Sequence, residues 1–151
     1  MRLSLGSIRQ WHWVSAAVTL VGMLLFAITG ITLNHAAAIK ADPQIITIEA
    51  AVPEALLQPL LHLPPGKVTL PAALQQYLTA QGVNIGPQQP GEWDGSEFYA
   101  AMPKPGADAW LALDAQAAGF SYEQTDCGWV AYFNDLHKGR DSGGVWFWFI
   151  D

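Results

Sequence analysis

Four histidines and one cysteine hold most of the chemistry this chain could perform. His12 lies between Trp11 and Trp13, His35 follows Asn34, His62 sits between Leu61 and Leu63, and His137 falls within DLHKGR. A neutral imidazole binds metals and moves protons near neutral pH, and two of them can take the axial positions of a haem iron. His35 ends one apolar run and His137 shortly precedes another, so a fold that folds back on itself could bring them together although they are 102 positions apart. The same two side chains could equally hydrogen-bond to water, to lipid headgroups, or, for His137, to Asp135 or Asp141. No Cys-x-x-Cys-His is present, so any haem would be b-type and not covalently attached. His12 stands at the opposite end of the first apolar run and would need a histidine on another helix to complete a site. His62, between two leucines, reads as a surface or packing residue. The nature of any metal is left open.

Cys127 is the single cysteine, which excludes an intrachain disulfide and cysteine-rich zinc clusters and leaves a small, partly buried residue. Ser-x-x-Lys, Gly-x-Ser-x-Gly and His-Glu-x-x-His are absent. No peptidase is visible, and whether the chain is an enzyme of another kind stays open.

The element that must position these histidines is apolar. WHWVSAAVTLVGMLLFAITGITL, residues 11–33, contains no formal charge. At 1.5 Å per residue it reaches about 34 Å, enough for a hydrocarbon core of about 30 Å. A cleaved signal peptide would have a shorter apolar stretch and a clearer small-x-small site than the one at Ala36–Ala38, so the run reads as a retained anchor. Arg2 and Arg9 are the only charges before residue 34, whereas the rest of the chain holds the other five bases and all thirteen acids. The positive-inside rule then puts residues 1–10, a basic tip, in the cytoplasm and the acidic bulk outside, in the periplasm of a Gram-negative cell. Such a bulk cannot neutralise phosphates, which excludes nucleic acid as a partner. Gly22 and Gly30 would let another helix approach closely, so the expected partners are lipid and further transmembrane helices, from copies of this chain or from another protein.

Beyond the span, residues 34–66 read as a linker with short elements: a strand over Ile45–Ile48 and a short helix near Pro53–Leu61, cut up by prolines. Thr69 and Pro71 open a helix that Gly82 closes, with Leu70, Leu74, Tyr77 and Leu78 on one stripe. SEFYAAMP, AWLALD, GFSYEQ and GWVAYF follow as candidate strands of an antiparallel meander. Residues 67–133 thus predict a two-layer α+β domain, residues 134–143 a membrane-boundary segment, and residues 144–151 the start of a second transmembrane helix. An aromatic edge strand is the alternative for that last stretch.

With these residues in view, the chain resembles the PepSY-associated transmembrane-helix proteins, in particular the PepSY-TM-like group of bacterial inner-membrane proteins. The resemblance rests on Arg9, Trp11 and His12, on the exit formed by Thr29, Gly30, Leu33, Asn34 and His35, and on DLHKGR before an aromatic run. It implies a PepSY-like domain held between membrane helices, and further helices after Asp151. It also implies an accessory role in a larger membrane assembly concerned with iron uptake or electron transfer. Ferric-siderophore reduction by haem-bearing helices and regulatory binding of a periplasmic protein are the two other functions it suggests.

Overall fold

The computed structural model describes residues 7–35, 38–39 and 42–150. Arg2 with most of the basic tip, Ala36 and Ala37 of the exit, and Asp151 lie outside the described residues.

The first element is α1, Ile8–Asn34, slightly longer at each end than the charge-free run. Ser7 and Gln10 start it as a reciprocal capping box, the Ser7 amide donating to Gln10 Oε1 at 2.7 Å. No residue of α1 is buried within the protein, and the helix is long and apolar enough to cross a membrane. In water that surface would carry a large hydrophobic cost; in lipid it carries none.

A six-stranded antiparallel sheet follows. Its strands are β1 (Gln44–Ala51), β2 (Gly66–Thr69), β3 (Pro90–Trp93), β4 (Glu97–Ala101), β5 (Ala107–Asp114) and β6 (Gly119–Asp126), in the order β1-β6-β5-β4-β3-β2. Two helices, α2 (Glu54–Leu61) and α3 (Ala72–Ala80), carry the chain from β1 to β2 and from β2 to β3. The inward sheet residues Trp93, Phe98, Leu111, Leu113, Phe120 and Tyr122 form one core with Leu57 and Leu60 of α2 and Leu74 and Leu78 of α3. The register places Leu111 opposite Tyr122 and Leu113 opposite Phe120, so large side chains from adjacent strands share the inner face. Burial holds the Tyr122 hydroxyl above its ordinary pKa.

The domain is therefore wider than the span 67–133. β1 lies along β6 over its whole length, and Val52, Leu57 and Leu60 are buried, so residues 44–66 belong to the sheet and its core and are not a linker. The helix over Ala72–Ala80 is present, but Pro71 occupies its cap position and Thr69 ends β2. GWVAYF is not a strand. It opens α4, Gly128–Lys138, because the next strand position is taken: β6 already pairs on both sides, with β5 and with β1. The aromatic run after the glycine pair is a helix, α5 (Gly144–Ile150), and not an edge strand.

Candidate functional site

The part of the molecule where polar chemistry meets the apolar helix is the junction of α1 with α4. In GWVAYFNDLHK, Asn134 and His137 are three residues apart and so share one helical face. That face rests on α1. Thr29 Oγ1 lies 2.7 Å from His137 Nδ1, and Thr32 Oγ1 lies 2.8 Å from the side-chain amide of Asn134. The Phe26 ring packs on the His137 imidazole at 4.8 Å between centroids. Gly30 lies against the ring: a Cβ added there would stand 3.7 Å from His137 Cε1, an ordinary van der Waals contact. Asn134 is only 8% exposed, so its amide depends on these partners for hydrogen bonding.

The hydrogen bonds also suggest the histidine tautomer. Thr29 Oγ1 sits 2.8 Å from the Leu25 carbonyl as well as 2.7 Å from His137 Nδ1. A hydroxyl has one proton and two lone pairs. The arrangement that satisfies all three groups sends the hydroxyl proton to Leu25 and lets Nδ1–H donate to Thr29, which leaves Nε2 as the lone-pair nitrogen. His35 is held in the same way, its Nδ1 being 2.9 Å from the Ile31 carbonyl, an acceptor that fixes Nδ1 as the donor.

The two histidines nevertheless occupy different surroundings. Thr29, which faces His137, and His35, which caps α1, are six positions apart, and each imidazole has its own partner. His35 is exposed and bonded to its own helix, whereas His137 is half-buried between α1 and α4. Within one chain the two rings thus have separate hydrogen-bond partners. Among the described residues no group of three or more His, Cys, Asp or Glu side chains is placed to hold a metal ion. His12 is exposed near the start of α1, and His62 is exposed at the end of α2 with Nδ1 2.6 Å from the Gln58 carbonyl. Cys127 is half-buried just ahead of α4.

α4 is also tied to the sheet. Asp135, on the side away from His137, accepts the Gly106 amide at 2.9 Å. Gly106 has φ 67°, and a Cβ there would lie 2.5 Å from the Tyr132 amide nitrogen, so only glycine permits the β4–β5 turn to touch the helix. Asp135 is thus spoken for by the turn and does not serve His137. Gly139, at φ 67°, ends α4, and the Arg140 amide closes on the Asp135 carbonyl. Trp146 of α5 then reaches back, its Nε1 donating to the Leu136 carbonyl at 2.8 Å.

Between α1, α4 and α5 runs a groove of about 290 Å³, lined by Val18, Gly22, Leu25, Phe26, Phe133 and Trp146 with His137 and Thr29 at its polar end. Gly22 faces open space: an added Cβ would meet nothing within 4 Å. The two glycines singled out for packing therefore differ. Gly30 lies against α4 of the same chain, and Gly22 is unoccupied on the groove side. Thr29, Thr32 and Asn134 were not evident as site residues from the sequence, although polar residues at i and i+3 both in the span and in FNDLH were the available signal.

No curated protein and no solved structure matches the chain. A family model described as "Putative PepSY_TM-like" matches residues 3–151, and the chain belongs to that family of PepSY-associated membrane proteins.

Proposed function

We propose that the protein is an accessory component of a larger assembly in the bacterial inner membrane, holding its sheet domain on the periplasmic side at a fixed orientation to the bilayer. The observation that carries this reading is the double attachment of α4. Asn134 and His137 fix it to the span, and Asp135 with Gly106 fixes it to the sheet, so the domain is braced and not merely tethered. Bracing is useful where a second membrane element must find the domain in one position. The open side of Gly22 and the apolar groove beside it suit a neighbouring helix. The charge split about the span supports the periplasmic side, and membership of the PepSY-associated family supports a membrane protein; the handling of iron or electrons by that assembly is part of the proposal.

Gly22→Ile should shift the native complex, resolved by electrophoresis in mild detergent, to the mass of the chain alone while leaving its thermal unfolding unchanged. An unaltered complex would remove the groove from the assembly.

A second reading, electron transfer through b-type haem, is favoured by one observation: His35 and His137 each have Nδ1 engaged and Nε2 available, the arrangement a ligating histidine adopts. Because the two have separate partners within the chain, each would take its partner ligand from another helix, and His12 likewise. Purified membranes should then show a Soret band that His137→Ala abolishes. A spectrum without that band, in membranes rich in the protein, ends this reading.

A further inference from the structure

The sheet has two edges, and they are protected very differently. β2 has four residues, includes Lys67, and follows Pro64 and Pro65, all features that discourage pairing with another strand. β1, at the other edge, has eight residues, QIITIEAA, with three isoleucines and neither lysine nor proline. Ile45 and Ile46 are 59% and 55% exposed although they point to opposite faces of the sheet.

The direction of the free backbone groups follows from the register. Val52 continues the β1–β6 ladder opposite Ala118 and donates to its carbonyl at 2.7 Å. Antiparallel pairs alternate between bonded and non-bonded. Ala50, Ile48 and Ile46 therefore bond inward to β6, and Ala51, Glu49, Thr47 and Ile45 turn their N–H and C=O groups outward. The Ala51 carbonyl agrees, since it accepts the Tyr77 hydroxyl at 2.8 Å. Ile45, Thr47 and Glu49 are left with a row of outward donors and acceptors.

What flanks this row defines what would fit it. On the outer face, which no helix of the sheet core covers, Glu49 lies diagonally from Glu123, the residue opposite Thr47. Glu97 and Asp114 follow across the same face, opposite each other in the register, and line a shallow hollow with Glu49. On the inner face Ile48 borders the core, and Ile46 lies exposed on the same face. An added strand would thus set one row of side chains beside Ile45, Thr47 and Glu49, with Glu123 one strand further in, and the alternate row beside Ile46 and Ile48.

We propose that the free edge of β1 is a docking site for an extended peptide segment of a partner protein, with basic and apolar residues in alternation, joined as a seventh strand. The backbone supplies affinity, and the Glu49/Glu123 side supplies selection for cations. The inference stands on the sheet alone and goes beyond the membrane-assembly reading.

The test uses the full chain in nanodiscs of zwitterionic lipid and two end-capped octapeptides, one alternating lysine with valine and one alternating glutamate with valine. The lysine peptide should slow hydrogen exchange over residues 44–51 at least about tenfold and bind about tenfold more tightly than the glutamate peptide at low salt. Thr47→Pro, which removes an outward N–H and no ladder bond, should abolish the protection. Should that variant fail to fold, Glu49→Lys reads the same site by weakening the lysine peptide. Equal binding of both peptides, or no protection of 44–51, overturns the proposal. So does a disulfide between two copies formed by Thr47→Cys in a Cys127→Ser background, which would assign the edge to a second copy of this chain.

Discussion

His137 is the residue on which the junction turns, and its partner is a threonine. The sequence singled it out for its position before an apolar run but paired it with His35, since both flank membrane boundaries. The structure gives it a different partner: the face of α1 that meets α4 carries Phe26, Thr29, Gly30 and Thr32, and His137 meets Thr29 while His35 bonds to its own helix at the Ile31 carbonyl. Thr29 and Thr32 were hidden because a threonine in an apolar run usually satisfies its hydroxyl on its own helix, as both do here on Leu25 and on Thr29. Only the arrival of α4 gives each a second partner. Hydrogen bonds between helices in membranes average about 0.6 kcal/mol and reach about 1.7. Thr29→Val and His137→Leu should each destabilise the folded chain by about 1 kcal/mol in detergent titrations. The double variant should cost distinctly less than the two added together, because they remove one shared interaction. Strict additivity would show that the two side chains do not depend on each other.

At the scale of elements, α4 is what residue preferences alone misplace. Trp, Val, Tyr and Phe favour strands, and GWVAYF follows three genuine strands, so it reads as a fourth. Tertiary context overrides this. β6 has both edges filled, and the chain instead continues as a helix whose polar residues at 134, 135 and 137 are divided between α1 and the sheet. β1 was legible as a strand but not as a member of this sheet, because its partner lies more than seventy residues away and nothing local announces it. The helix over Ala72–Ala80 and the strands β4, β5 and β6 were readable, their apolar periods being clear. The contact of Gly106 with Tyr132 gives the sharpest prediction at this scale. Gly106→Ala introduces a clash with backbone at a positive φ and should destabilise the protein by about 1–3 kcal/mol or more in denaturant unfolding. Gly143→Ala, also at positive φ but with nothing within 4 Å, should cost less. Equal losses at both positions would mean that backbone strain, and not contact with α4, makes Gly106 necessary.

For the whole molecule, an apolar rod and an acidic α+β domain were both legible from charge and hydropathy, whereas the brace between them was not, since it consists of a few hydrogen bonds between distant segments. The most direct test of the account is the position of the domain in a cell. Protease added outside intact spheroplasts should digest the sheet domain while a fragment beginning at the native N-terminus and containing α1 stays protected in the membrane. A domain that resists until the membrane is dissolved, or a mature chain that begins after Asn34, would contradict it.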